Sequence, residues 1–124
     1  MSSTIHVLYI DDDRQNLDTV SRSLTREGFL VSTANTGQQG IDMATQEEPD
    51  VVLLDILLPD MTGFDVCEAL RDTPHMRNRP IIALTATTMN GDRQQSLAAG
   101  FDGYLSKPVS RVELFNTIQN CVHD

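Results

Sequence analysis

A chain of 124 residues fits one domain, and a chain this size buries roughly two-thirds of its unfolded surface in a single core. Nine Lys and Arg against eighteen Asp and Glu give a net charge of -9, which argues against nucleic acid as a direct partner, because such binding rests on clustered positive charge. The amino terminus carries no basic segment followed by a long apolar one, and the apolar runs are interrupted by Asp55 and Pro59. Cys67 and Cys121 have no metal-like or disulfide-like spacing, so the expectation is a cytoplasmic, single-domain protein with free thiols and no membrane span.

In chain order, residues 5–10 form a first buried-strand candidate that runs straight into Asp11, Asp12 and Asp13. A helix follows, with Leu17, Val20 and Leu24 as its inward stripe, Asp13 as its cap and Gly28 as its stop. Residues 29–34 read as a second strand, less continuously apolar and therefore at the sheet edge. Thr36, Gly37, Gln38 and Gln39 have the capping-box form and open a second helix, from about Gly37 to Glu47, with Ile41 and Ala44 inward and Pro49 ending it.

The run Asp50, Val51, Val52, Leu53, Leu54, Asp55 is almost wholly apolar and rich in β-branched residues, the pattern of a central parallel strand buried on both faces. Pro59 and Gly63 punctuate the loop after it, and Thr62 caps a third helix through Phe64, Val66, Cys67 and Leu70. Residues 73–79 read as a polar connecting loop, and 81–84 as a fourth strand ending on Thr85. A fourth helix is expected at about 91–99, stopped by Gly100. A short fifth strand at 103–106 precedes a turn at Lys107 and Pro108. A capping box at Ser110 to Glu113 then opens a last helix with Leu114, Phe115, Ile118 and Val122 inward. Five β-α alternations with right-handed crossovers give a parallel sheet covered by helices on both faces.

Asp11 to Asp13, Asp55, Thr85 and Lys107 each fall at the carboxyl end of a different strand, where open α/β sheets bind their ligands. Carboxylates gathered there repel one another unless a hard divalent cation joins them, and an all-oxygen set with room for waters suits Mg²⁺. A lysine and a hydroxyl beside them complete a site for a phosphoryl group. Read alone, Asp13 is a helix cap, Thr85 a strand residue and Lys107 a solvated charge; their common location is what lifts Thr85 and Lys107 to site candidates. His6, His75 and His123 match no motif.

The triple Asp after strand one, Asp55-Ile-Leu-Leu-Pro-Asp-Met-Thr-Gly63 after strand three, Leu84-Thr-Ala after strand four and Tyr104-Leu-Ser-Lys-Pro108 after strand five resemble the response-regulator receiver domain of two-component signalling. The resemblance spans residues 5–122. It implies a doubly wound, flavodoxin-like sheet of five strands in the order 2-1-3-4-5 with five flanking helices. It further implies that Asp55 is a phosphoacceptor, a carboxylate nucleophile taking phosphoryl from a histidine kinase or histidine phosphotransfer protein. Mg²⁺ would be held by Asp12 and Asp55 directly, by Asp11 through water and by the backbone carbonyl of Leu57. Lys107 and Thr85 would contact phosphoryl oxygens, Thr85 and Tyr104 would form the switch, and Pro108 would follow Lys107 through a cis peptide. Leu57 and Thr87 would flank the path of the water that removes the phosphoryl group.

The implied protein is a signalling switch rather than an enzyme, acting on an effector protein, with residues 1–124 as one receiver domain and no output domain. Three other readings compete. One is a receiver-like binding module that keeps the fold but is never phosphorylated; against it, none of the site residues is missing. A Mg²⁺-dependent phosphatase with an aspartyl-phosphate intermediate would want an acid at Leu57. A flavodoxin-like cofactor carrier would want a phosphate-cradling loop where three acids stand instead.

Overall fold

The computed structural model describes residues 4–85, 100–107 and 109–122. In chain order these form β1 (His6–Ile10), α1 (Arg14–Arg26), β2 (Leu30–Ala34), α2 (Gly37–Glu47), β3 (Val51–Asp55), α3 (Gly63–Arg71), a short 3₁₀ turn (Pro74–Met76), β4 (Ile81–Thr85), β5 (Gly103–Ser106) and α4 (Arg111–Val122). The strands make one parallel sheet in the order β2-β1-β3-β4-β5, the flavodoxin-like arrangement that the family resemblance implied. Four α-helices lie among the described residues; the helix expected at about 91–99 falls outside them, as does Pro108.

Burial follows the sheet position. Every residue of β3 and β4 is buried, whereas β2, at one edge, leaves Leu30 56% exposed. Side chains alternate across the sheet, so each strand feeds two cores. Leu8, Ile10, Val52, Leu54, Ile81 and Ala83 pack with α2, α3 and Met76 on one face. Val7, Tyr9, Leu53, Ile82, Leu84 and Leu105 pack with Leu24 of α1 and Leu114 and Ile118 of α4 on the other. At ~25 cal/mol per Å² of apolar surface removed from water, these two layers are the main favourable contribution to folding.

Helix ends follow the capping residues read from the sequence, with one shift. Asp13 accepts from the N–H groups of Gln15 and Asn16. Thr62 and Asp65 form a reciprocal capping box, and Ser110 Oγ accepts from Glu113 N. At α2, Thr36 Oγ1 accepts from Gln39 N as expected, but the Gln39 amide oxygen accepts from Asn35 N, one residue before the cap. Gly28 stands just past α1 at φ +97°, a conformation that favours glycine.

The stretch 73–79 is more ordered than a connecting loop. Pro74 starts its 3₁₀ turn, and the guanidinium of Arg71 gathers the surrounding carbonyls. Its Nη1 donates to the oxygens of Met76 (2.9 Å), Arg77 (3.2 Å) and Arg79 (2.7 Å). Its Nη2 donates to Gly100 O (2.6 Å) and Asp102 Oδ2 (2.6 Å). Asp102 Oδ2 also accepts from Ile81 N, so one side chain ties the end of α3 to the start of β4 and the entry to β5. Arg71→Ala is therefore expected to cost about 2 kcal/mol by orphaning several carbonyls. Arg71→Lys, lacking the planar fork, should recover little of it. Urea denaturation of the three proteins checks this, and equal midpoints would refute it.

Candidate functional site

The parallel register brings the strand ends together. Ile10 pairs with Leu54, Asp55 with Leu84, and Thr85 with Ser106, so Asp11, Asp55, Thr85 and Lys107 emerge at one rim of the sheet. By alternation, Asp11 and Lys107 lie on the α1–α4 side together with Tyr9 and Leu105. Thr85 lies on the other side with Ala83, whose register partner on β5 is Tyr104.

Asp11 is fully buried and its oxygens are satisfied. Oδ1 accepts from Asp13 N (2.9 Å), while Oδ2 accepts from Tyr9 Oη (2.5 Å) and Lys107 Nζ (2.8 Å). Asp55, 7% exposed, uses Oδ1 to accept from Leu57 N (3.1 Å) and Oδ2 to accept from Lys107 Nζ (3.1 Å). Lys107 is aimed there because its own N–H donates to Thr85 O (2.7 Å), continuing the β4–β5 ladder past the last strand residue. Lys107 also lines a cavity of about 450 Å³ between α1 and α4, together with Val20, Leu84 and Leu114.

The loop after β3 closes tightly under Asp55. Gly63 N donates to Ile56 O (2.7 Å), and Leu57 bridges Thr62 in antiparallel fashion. A Cβ on Gly63 would lie 2.8 Å from Ile56 Cα and 2.9 Å from the Asp55 carbonyl oxygen, both backbone atoms that cannot yield cheaply. The loop leaves the Leu57 side chain 66% exposed beside the site.

One ammonium serves two buried carboxylates, and the protonation equilibria record the shortfall. Burial pushes the Asp55 carboxyl up from 3.8 to about 6; the Leu57 N–H and the Lys107 charge pull the other way, and the Asp11 charge adds to the rise. Burial acts on Asp11 too, but hydrogen bonds from Lys107, Tyr9 and Asp13 outweigh it and hold that carboxyl below its ordinary value. For Lys107 burial favours the neutral amine, yet the bond to Asp11 and the charges of both carboxylates prevail and raise it. The Tyr9 phenol is held well above its usual range, by burial first and then by Asp11.

Asp11, Asp12 and Asp55 each offer a carboxylate oxygen, all within 4.8 Å of one another, with Asp12 exposed. An all-oxygen set with one open, solvent-facing member fits a hard divalent cation that keeps several waters. The structure thus gathers Asp11, Asp12, Asp55 and Lys107 at one place. The Asp13 side chain caps α1, while its N–H donates to Asp11 Oδ1. Thr85 is buried at the end of β4, and Tyr104 is half-buried against the α2–α3 face of the sheet. Pro108 and Thr87 lie outside the described residues.

Two participants are not evident from the sequence pattern alone. Tyr9 sits inside an apolar strand, although its place two residues before Asp11 puts both on one face, a signal that was available. Asp60 accepts from Gly37 N (2.8 Å) and Gln38 N (3.0 Å), fastening the loop to the start of α2; no local pattern announces a contact across that sequence distance.

Residues 7–119 match the family described as the response regulator receiver domain. Response regulator PleD of Caulobacter vibrioides is 39% identical over 114 residues, covering 92% of this chain but 25% of PleD, so the chain spans a quarter of that relative. Polar-differentiation response regulator DivK of Brucella ovis is 31% identical over 121 residues, covering 98% of each protein. Among solved structures, the receiver domain of sensor histidine kinase PA1611 of Pseudomonas aeruginosa, with a magnesium ion coordinated in its active-site cleft, superposes with a TM-score of 0.91. It is 31% identical and is covered over 100% of its length by 98% of this chain.

The raised Asp55 carboxyl makes a stability prediction with a definite sign. In the unfolded chain the carboxyl ionises near 3.8 and in the fold near 6, so between these values the unfolded state sheds its proton first and rising pH destabilises the protein. Without metal, Asp55→Asn should therefore be more stable than the parent at about pH 7.5, by on the order of 1 to 3 kcal/mol, and should lose most of that advantage near pH 4. Thermal melts in chelator at both pH values test this; no gain at pH 7.5 would contradict it.

Proposed function

Because the chain belongs to the response regulator receiver domain family, we propose that residues 1–124 act as one receiver domain that takes a phosphoryl group on Asp55 and changes its partner-binding surface in response. The donor is a sensor histidine kinase or a histidine phosphotransfer protein, the target is an effector protein, and the setting is the cytoplasm. Among the described residues, no helix is long and apolar enough to cross a membrane. The observation that carries the reading is Asp55 itself: a buried carboxylate at the sheet rim, one oxygen held by Leu57 N–H and the other by an ammonium it shares with Asp11.

The chemistry asks little covalent work of the chain. An Asp55 oxygen forms the new O–P bond as the N–P bond of a phosphohistidine breaks, and the electron pair returns to the imidazole. Phosphoryl transfer depends mostly on alignment and charge neutralisation. Leu57 N–H orients the Asp55 carboxylate. Lys107, already pointed at it, moves its charge onto a phosphoryl oxygen, and the Tyr9 hydroxyl keeps Asp11 satisfied when that happens. Asp12 and Asp55, with the Leu57 carbonyl and with Asp11 through water, would hold Mg²⁺. When bound, the ion would offset the negative charge that carboxylates and phosphoryl oxygens bring together.

The readout would begin at Thr85. Its hydroxyl turns toward the phosphoryl group and Tyr104 follows inward, which biases an equilibrium between two existing arrangements. Support comes from their placement: Thr85 ends β4, and Tyr104 pairs with Ala83 on the same face of the sheet. No catalytic turnover of a separate substrate is involved, so the proposed protein is a switch and not an enzyme.

Incubation with acetyl phosphate and Mg²⁺ followed by intact-mass measurement tests the reading. One added phosphoryl group is expected in the parent and none in Asp55→Asn. No addition in either protein would favour a binding module that keeps the fold without the chemistry. The lifetime of the phosphoryl group gives a second prediction. Leu57 presents an apolar, exposed side chain beside Asp55 and cannot orient a water, so loss of the phosphoryl group should be slow. Leu57→Asn should speed it by about 10-fold; an unchanged or slower decay after donor removal would show that another feature sets the lifetime.

A further inference from the structure

The loop that carries Leu57 has a second attachment that neither the strand ends nor the acidic cluster explains. At its tip, Asp60 receives the N–H groups of Gly37 and Gln38 on its two carboxylate oxygens, at 2.8 and 3.0 Å. These are the first two residues of α2, whose N–H groups have no partner within the helix. The next residue reinforces the contact. Met61 packs so closely on Gly37 that a Cβ there would lie 2.5 Å from Met61 Cγ. Both backbone bonds, from Gln38 and from Gly37, hold the Asp60 carboxyl below its ordinary value, so it stays an anion at neutral pH.

Between its ends the loop has little freedom. Leu57 N is bonded to Asp55 Oδ1, Leu57 is bridged to Thr62, and Gly63 N is bonded to Ile56 O. A short closed loop fixed at its base and at its tip presents each of its carbonyls in one direction. Released at the tip, the same loop can rotate its peptide planes about the base.

We infer that Asp60 is a positioning residue: by clamping the tip of the 56–62 loop to the first turn of α2, it sets the direction in which Leu57 offers its backbone carbonyl to a divalent cation. This rests on the reading of Asp12, Asp55 and the Leu57 carbonyl as the Mg²⁺ ligands. Asp60 is not one of the three carboxylates that gather at the candidate cation site. It acts as an outer partner that orients a ligand, and removing such partners typically costs metal affinity by about 10-fold or more.

A purely structural role has its own control. Thr36 also caps α2, accepting from Gln39 N, but makes no contact with the loop through that bond. Mg²⁺ titrations followed by amide NMR, together with thermal melts, should be run on the parent, Asp60→Ala, Asp60→Asn and Thr36→Ala. Asp60→Ala should weaken Mg²⁺ binding by about 10-fold, and Asp60→Asn, which keeps one acceptor oxygen, should fall between it and the parent. Thr36→Ala should lower the melting temperature with Mg²⁺ affinity unchanged. In the metal-free Asp60→Asn protein the Leu57 amide signal should already be displaced. Parent-like affinity in both Asp60 variants overturns the inference, and so does an equal loss in Thr36→Ala, which would trace the effect to α2 alone. A parent that binds no Mg²⁺ would instead overturn the underlying reading of the cation site, and the inference with it.

Discussion

Lys107 donates to two buried carboxylates at once, 2.8 Å from Asp11 and 3.1 Å from Asp55, and a single ammonium neutralises only one of them. Charges this deep interact strongly, and an uncompensated one is costly. Asp11 takes the larger share, since it has a phenol and a backbone N–H as well, and Asp55 is left short. Whatever brings positive charge to Asp55 therefore relieves the fold. Asp11 does not depend on Lys107 alone, because Tyr9 Oη and Asp13 N also donate to it.

Much of the architecture exists to hold that triangle. Parallel strands in register end at one level, so residues far apart in sequence, 96 positions in the case of Lys107 and Asp11, meet without a dedicated loop. The β4–β5 ladder extends one bond past the strand to aim Lys107. Gly63 lets its loop pass against the backbone of Asp55 and Ile56. At the opposite end of β5, Arg71 fixes the entry to the strand through Gly100 and Asp102, so the strand that delivers Lys107 is pinned at its start as well.

What the sequence made legible, and what it hid, divides along the range of the interactions involved. The apolar run at Val51 to Leu54, the caps at Asp13, Thr62 and Ser110 and the stop at Gly28 are local patterns, and each stands where the residues placed it. The common rim that Asp11, Asp55 and Lys107 share was also legible, because parallel strands end at one edge of the sheet. The ordered turn after α3 was not, since it depends on carbonyls collected by Arg71 rather than on its own polar residues. The capping box at Thr36 drifted by one residue because Gln39 found Asn35 N within reach. Asp60 acts through a tertiary contact that no local pattern announces, whereas Tyr9 reads as core even though its spacing puts it on the same face as Asp11.

The central claim, that Asp55 is a buried carboxylate left short of positive charge, can be read directly from its own titration. Carbon-13 NMR of the Asp55 side-chain carboxyl, followed from about pH 3 to pH 8 in metal-free protein, should show a midpoint near 6, moving to lower pH when Mg²⁺ is added. A midpoint at or below the ordinary 3.8 without metal would contradict the claim, because Lys107 and the Leu57 N–H would then already satisfy Asp55 in full.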